Sequence, residues 1–429
     1  MQTQKLYDEY MMTSIVPGFE PVEVESAQGT RIRSTDGQEY LDCFSGISVC
    51  NAGHGHPKVI AAAKAQMERL VHCCTYVYYN PMAGRLAEAL ANITPGRLRK
   101  SFLGNSGAEA VEGALRLSRH FTGRNEFVAL THSFHGRTYA TLSITGNSTR
   151  KHSGGPFMPG VIFAPAPYFY RCPYGSRTEA ECAERCAEEL ARAIRFQSSG
   201  NVAAFVAEPV LGEGGILVPH ESYFPLVREI LAEQGILFIC DEVQTGFGRT
   251  GKLFAIEHYG VEPDIMTMAK GIADGFPLGA FIARPEIADS FTPGSHLSTF
   301  GGNPVSCAAA LANIEVMQDE KLPENAAARG AQLMSALEPL VKELTLVGDL
   351  RGRGLMIGLE LVKDADKTPA AEAAKEVKKR CREAGILIGV GGSFANVVRL
   401  QPPLILSEDE AVQIVDILSK VLRDVDGAL

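Results

Sequence analysis

The sequence predicts an α/β fold with a large domain, built on a mainly parallel sheet between helices, and a smaller α+β domain. Three observations lead to this prediction. From about residue 56, short apolar runs alternate with helical segments, the pattern of strands that helices cover on both faces. After about residue 315, the pattern changes to a long helix, two strands and a final helix. The third is the length of 429 residues, roughly three units of about 150 residues each, which fits one large domain with a smaller companion as well as three separate domains.

The elements follow in order along the chain. Asp36-Gly37 separates two segments of alternating character and predicts a hairpin. A helix is expected at 108–121, ended by Gly123 in the position of a left-handed cap. The C-terminal unit carries a helix from Glu408. Strands are predicted at 127–130, 202–207, 236–240, 265–269, 354–361 and 397–400. The predicted divisions are 1–55, an N-terminal segment of the small domain, then 56–315, the large domain, and 316–429, the small α+β domain.

Composition excludes several classes of protein. A formal charge of −9 leaves no positive field to hold a nucleic acid backbone. No apolar run approaches the roughly 20 residues that cross a bilayer, and the opening segment lacks the pattern of a signal peptide, so we expect a cytoplasmic protein with no membrane partner. The ten cysteines lack paired zinc-site spacing. We therefore read them as reduced thiols and expect no metal site.

Ionisable residues follow three of the predicted strands. Glu208, Asp241 and Lys270 each stand at the end of an apolar run, and the carboxyl ends of parallel strands share one edge of a sheet. Partial burial would lower the pKa of Lys270 and make its amine a nucleophile that can form a Schiff base. A buried salt bridge between Lys270 and Asp241 explains the same residues equally well. The pair would also suit pyridoxal phosphate, which requires a phosphate site as well.

The turn at residues 104–109 could be that phosphate site, because it precedes a helix whose first N–H groups would be free. It has neither the lysine of a P-loop nor a GxGxxG pattern. Phe134 follows another predicted strand, where its ring could stack on a flat cofactor or simply belong to the core. Arg399 lies among apolar residues and needs a carboxylate, either from a substrate or from a glutamate of the protein.

Together these residues resemble a class III (omega) pyridoxal-phosphate aminotransferase of the type I fold, over nearly the whole chain. The most specific similarities are the segments 241–251, 268–271 and 299–304. The resemblance implies that 56–315 binds the cofactor, that Lys270 is the catalytic Schiff-base lysine and that Asp241 pairs with the pyridine nitrogen. It also implies a homodimer, or a dimer of dimers, with shared active sites. Further cofactor-binding residues implied are Ser106, Gly107, Ala108, Phe134, His135, Glu208, Val243, Gln244 and, toward the neighbouring subunit, Thr299.

The same resemblance suggests the substrates, an amino donor and a 2-oxo acid acceptor. Arg399 matches the arginine that binds an α-carboxylate, and Glu213 matches the glutamate that neutralises it while an omega-amine is bound. Arg137 matches a residue that holds the distal carboxylate of 4-aminobutyrate. Ile47 stands where ornithine enzymes carry a tyrosine, and Ser298 completes the expected substrate-binding set.

We therefore expect transfer from an omega-amino acid, 4-aminobutyrate in the first instance, to 2-oxoglutarate or pyruvate. The segment 166–175 resembles an insertion of 4-aminobutyrate and alanine–glyoxylate enzymes, whereas 133–138 resembles the acetylornithine version. Acetylornithine, alanine–glyoxylate and β-alanine–pyruvate aminotransferases therefore remain alternatives. A class III racemase or a dialkylglycine decarboxylase would use the same lysine and aspartate.

Overall fold

The computed structural model describes residues 2–12, 20–152 and 154–428. In chain order its strands are β1 (Val24–Gln28), β2 (Arg31–Ser34), β3 (Glu39–Asp42), β4 (Lys100–Gly104), β5 (Glu126–Leu130), β6 (Val161–Ala164), β7 (Val202–Ala207), β8 (Leu237–Asp241), β9 (Ile265–Met268), β10 (Gly279–Ala283), β11 (Val347–Arg353), β12 (Met356–Leu361), β13 (Ile386–Leu387), β14 (Gly389–Gly391) and β15 (Val397–Leu400).

The helices lie between and after these strands. They are α1 (Gln2–Tyr10), α2 (Ser45–Ser48), α3 (Pro57–Arg69), α4 (Pro81–Ile93), α5 (Gly107–Thr122), α6 (Tyr139–Ser143), α7 (Glu179–Gln197), α8 (Tyr223–Gln234), α9 (Pro285–Ala288), α10 (Pro304–Asp319), α11 (Leu322–Glu343), α12 (Ala371–Glu383) and α13 (Glu408–Asp426).

The central sheet has seven strands in the order β4-β10-β9-β8-β7-β5-β6. Its strands are parallel except β10, which runs antiparallel to both of its neighbours. Alternate residues of β5 show why the strand sequences are uniformly apolar. Phe127 and Ala129 belong to one buried cluster, and Val128 and Leu130 belong to the cluster on the opposite face. Both faces are therefore core, as the apolar runs predicted.

Two smaller sheets complete the fold. One has the order β11-β12-β15-β14, and the other joins β1, β2 and β3 to β13. The parallel pairing of β3 with β13 connects the N-terminal segment to the C-terminal part of the chain. Helix α13 packs against both α11 and α12, while α11 packs against β11 and β12, and α12 packs against β12, β13, β14 and β15. The α/β fold class is confirmed, while the domain limits at 55 and 315 remain predictions.

Most predicted elements occur with small shifts at their ends. The hairpin turn lies between β2 and β3, with Gly37 at φ +87°, and Gly123 caps α5 in the left-handed conformation. The long helix expected after residue 315 is instead two helices. Helix α10 already begins at Pro304, and the chain breaks at Lys321, whose φ is +50°. The following Leu322-Pro323 explains the break, because a residue before proline disfavours continuing a helix.

No helix in the described ranges is long and apolar enough to span a bilayer. All ten cysteines are unpaired. Cys182 and Cys186 lie four residues apart in α7.

Candidate active site

A cavity of about 420 Å³ opens at the carboxyl ends of β7, β8 and β9. The parallel strands bring Glu208, Asp241 and Lys270 together there, although they are separated along the sequence. Twelve of the residues singled out from the sequence line it, namely Ser106, Gly107, Ala108, Phe134, His135, Arg137, Glu208, Glu213, Asp241, Val243, Gln244 and Lys270.

Lys270 begins a short 3-10 turn directly after β9 and has a φ of +48°. A left-handed backbone is strained for lysine and is most often found at functional sites. Burial lowers the pKa of the Lys270 amine, although the charges of Glu208, Asp241 and Glu213 partly oppose that shift. The amine therefore loses its proton more easily than an exposed lysine, a property that a nucleophilic or proton-transferring lysine needs.

Asp241 is the last residue of β8 and is almost completely buried. One carboxylate oxygen accepts hydrogen bonds from the Val243 N–H and the Thr267 hydroxyl, both at 3.1 Å. The other oxygen lies 2.7 Å from Nδ1 of His135. Burial lowers the pKa of His135, but the hydrogen bond to Asp241 and the charges of Asp241 and Glu208 outweigh it, so the pKa is raised. The histidine therefore supports a negative charge on Asp241 inside the protein.

Glu208 connects the cavity walls through backbone hydrogen bonds. Its two oxygens accept from the N–H groups of Phe134 and Gly212, each at 2.9 Å. Burial raises the pKa of Glu208 to about 7, despite the nearby charge of His135 and these two bonds. The residue holds the segment that bears Phe134 against the loop that leads to Glu213.

The turn before α5 provides backbone donors at the cavity. Ser106 caps the helix by accepting from the Glu109 N–H, and the N–H groups of Gly107 and Ala108 have no acceptor within the described ranges. A side chain at Gly107 would meet Val243 at 2.8 Å, so only glycine allows this close approach. Free N–H groups at the positive end of a sixteen-residue helix suit a phosphate.

Glu213 and Arg399 form an ion pair at the edge of this site. Nη1 of Arg399 donates to Oε2 of Glu213 at 3.1 Å, from strand β15. Arg150 contacts the other oxygen of the same carboxylate. Sequence analysis missed Arg150, because nothing local to its turn indicates that Glu213, far along the chain, lies beside it.

Other predicted residues do not line this cavity of the single chain. Ile47 is 42% exposed, and its neighbour Val49 lines the cavity instead. Ser298 donates to Glu109 at 3.1 Å behind the turn, and Thr299 is exposed.

Gln244 lines the cavity and accepts a hydrogen bond from Gln401 at 3.2 Å. The apolar segment 275–278 also lines the cavity, and no charge or motif in it could have signalled this.

These residues fit pyridoxal phosphate. The ring nitrogen Nε2 of His135 is buried and has no hydrogen-bond partner within the described ranges. The cavity holds a depressed-pKa lysine, a buried carboxylate and free N–H donors, the three groups that the amine, pyridinium and phosphate chemistry of this cofactor needs.

Comparisons with known proteins agree with a pyridoxal phosphate site at these residues. A sequence model of the family described as aminotransferase class-III matches residues 16–422. The chain is 41% identical over 405 residues to the acetylornithine aminotransferase of Methanothermobacter thermautotrophicus, covering 94% of this chain and 95% of that one. It is 40% identical to the 4-aminobutyrate aminotransferase of Mycobacterium tuberculosis, covering 94% and 91% respectively. A PLP-bound amine transaminase from an uncultivated Pseudomonas species superposes with a TM-score of 0.92 at 35% identity, covering 97% of this chain and 98% of that one.

Proposed function

The chain belongs to the class III aminotransferases and uses pyridoxal phosphate, and on that premise we propose that its donor is an omega-amino acid, first of all 4-aminobutyrate. The proposed acceptor is a 2-oxo acid such as 2-oxoglutarate or pyruvate. The observation that carries this proposal is the ion pair between Glu213 and Arg399. In the closed pair Glu213 occupies Arg399, so no free guanidinium faces an omega-amine, while an open pair presents Arg399 to an α-carboxylate.

When bound, pyridoxal phosphate supplies an aldehyde that condenses with amines and a ring that takes up electrons. We assign Lys270 as the residue that would hold the cofactor and whose Nζ would move a proton during the reaction. Asp241 would hold a proton at the ring nitrogen of the cofactor, and its hydrogen bond to His135 keeps that carboxylate oriented. Ser106, Gly107 and Ala108 would bind the phosphate, and Phe134 would contact the ring. Val243 and Gln244 lie beside them in the same cavity.

Arg137 is the proposed partner of the donor's distal carboxylate. It lines the cavity and lies over the Phe134 ring at 5.6 Å, and within the described ranges no carboxylate forms an ion pair with its guanidinium. A 4-aminobutyrate molecule needs one cation for its carboxylate at one end and a reacting centre for its amine at the other. Arg137 and Lys270 line the same cavity, which supports this assignment.

Acetylornithine is the second candidate donor. The acetylornithine aminotransferase named above is as similar to this chain as the 4-aminobutyrate enzyme. Acetylornithine carries an α-carboxylate and would therefore engage Arg399 in the donor half-reaction as well. Alanine–glyoxylate or β-alanine–pyruvate transfer, racemisation and decarboxylation use the same lysine and aspartate and remain less favoured alternatives.

We also propose a homodimer in which Thr299 contributes to the partner subunit's phosphate site. The support is an exposed apolar surface around it that a monomer would leave in water. Phe300, the residue after Thr299, is 63% exposed, and the His72 ring lies 5.2 Å from that of Phe300. Ile47 and Ser298, outside the cavity of the single chain, are proposed to act in the same assembled site. The unpaired cysteines support a reducing compartment, and we propose the cytoplasm.

The donor assignment is tested by absorption spectroscopy of the purified holoenzyme without any acceptor. Adding 4-aminobutyrate, N-acetylornithine, β-alanine or L-alanine separately should remove the yellow band only for accepted donors, and 4-aminobutyrate should remove it fastest. Bleaching by N-acetylornithine alone would replace the first candidate with the second. A stable band with every donor would refute the aminotransfer proposal and favour the racemase or decarboxylase alternatives.

A further inference from the structure

The Glu213 carboxylate lies between two guanidinium groups. One oxygen is 3.1 Å from Nη1 of Arg399, and the other accepts from Nη2 of Arg150. The side chains of Arg399 and Glu213 are 5% and 16% exposed, and that of Arg150 is 29% exposed. Two positive charges therefore face one negative charge, and the cluster carries one net positive charge near the cavity.

The turn that carries Arg150 is built into the scaffold of the active site. The N–H groups of Gly146 and Asn147 donate to Oγ and the carbonyl of Ser133, at 3.1 and 3.0 Å, directly before Phe134. A side chain at Gly146 would lie 2.0 Å from the Leu130 carbonyl, so this approach requires glycine. The side chain of Asn147 then caps the short turn Ser148–Arg150. The backbone that carries Arg150 is therefore held in place by hydrogen bonds to the segment that follows β5.

The two arginines favour the ionised form of Glu213. Burial would raise the pKa of its carboxyl, but the charges and hydrogen bonds of Arg399 and Arg150 lower it. A substrate carboxylate that binds Arg399 must displace Glu213. Without another partner, the displaced glutamate would be a largely buried, unpaired charge, which is strongly unfavourable.

We propose that Arg150 is a specificity-determining positioning residue that retains the Glu213 carboxylate whenever a substrate carboxylate occupies Arg399. The inference rests on the proposed function, because it assigns a partner to Glu213 in the open form of the proposed ion-pair switch. Arg150 acts through Glu213 and does not touch the substrate. It lowers the free-energy cost of binding a 2-oxo acid and has no corresponding effect on an omega-amine donor, for which Glu213 stays on Arg399.

The test uses glutarate, a dicarboxylate without the reactive 2-oxo group, titrated calorimetrically into holoenzyme. Arg150→Met keeps a long apolar side chain and removes the charge. Its Kd for glutarate should rise about tenfold to a hundredfold, as expected when a buried polar group loses its partner. The KM for 2-oxoglutarate should rise by a similar factor with little change in kcat. Arg150→Lys keeps the charge and should recover most of the affinity.

A double-mutant cycle distinguishes action through Glu213 from direct contact with the ligand. In the Glu213→Gln background, adding Arg150→Met should change the glutarate Kd by no more than about twofold. Lys151→Met is the matched control, because Lys151 lies on the same turn but over the rings of Phe157 and Phe163. Its Kd should equal that of the wild type.

An unchanged Kd in Arg150→Met would overturn the inference, as would an equally large effect of Arg150→Met in the Glu213→Gln background. The failure of the proposed function has a different signature. In that case wild-type holoenzyme itself would bind no glutarate and would transfer no amino group to 2-oxoglutarate.

Discussion

Gly279→Ala tests the phosphate site, because the added methyl group would meet backbone atoms that cannot rotate away. Gly279 begins β10 and pairs with Gly104 of β4. A Cβ there would lie 2.1 Å from the carbonyl oxygen of Ser106 and 2.6 Å from its carbonyl carbon. Ordinary contacts between non-bonded heavy atoms begin near 3.5 Å, so the turn at Ser106 must move by about 1 Å.

The expected loss of cofactor affinity follows from this displacement. The proposed donors to the phosphate are the N–H groups of Gly107 and Ala108, which directly follow the displaced carbonyl. A hydrogen bond to a charged group contributes about 1.5–3 kcal/mol. Losing one should weaken binding about tenfold to a hundredfold, and losing both about a hundredfold to ten-thousandfold.

The assay is an equilibrium titration of apoprotein with pyridoxal phosphate, followed by the absorption band of the bound cofactor. Thermal unfolding of the same apoprotein separates loss of the site from loss of the fold. Gly84→Ala is the matched control, since a Cβ at this position of α4 meets no atom within 4 Å. It should leave cofactor affinity unchanged and stabilise the protein by about 0.5–1 kcal/mol. Wild-type cofactor affinity in Gly279→Ala would refute the assignment of the phosphate to this turn.

Four further predictions follow, three from the cavity and one from the hydrogen bond between His54 and Asp42. Lys270→Ala should abolish turnover, and full activity would remove its assignment as the cofactor-holding lysine. Asp241→Asn should fold nearly normally but lose about a thousandfold or more in kcat, as expected when a carboxylate that stabilises a proton becomes neutral; an unchanged rate would show that the ring nitrogen has another partner. Arg399→Ala should raise KM at least tenfold for both 2-oxoglutarate and pyruvate, because each carries an α-carboxylate, and an unchanged KM for both would mean that the arginine is mainly structural. The hydrogen bond to Asp42 raises the pKa of His54 to about 10. The protonated histidine therefore stabilises the folded protein fully below pH 6.5, and this contribution is lost as the pH rises toward 10. His54→Asn should reduce the free energy of unfolding at pH 6 by roughly 2 to 4 kcal/mol and flatten its dependence between pH 6.5 and 10, as measured by denaturant unfolding.

Much of the fold could be predicted because it depends on local patterns. Strands covered on both faces need apolar residues at every position, and β5 and β7 were therefore visible as short apolar runs. The shared edge of parallel strands also predicted that Glu208, Asp241 and Lys270 would meet. Whether that lysine sits in a salt bridge or serves as a nucleophile was not decided by composition, and the resemblance of the motifs favoured the nucleophile.

The amino-acid sequence by itself determined the fold class, the family resemblance and the edge of the sheet at which the chemistry lies. Tertiary structure alone placed Arg150 on Glu213, 63 residues further along the chain, and His135 on Asp241, 106 residues away. It also decided that Gly279 must lack a side chain, because the backbone of Ser106 passes directly over it. The physical reason is that periodicity reports which face of an element is buried, whereas the partner of a buried charge depends on how distant elements pack.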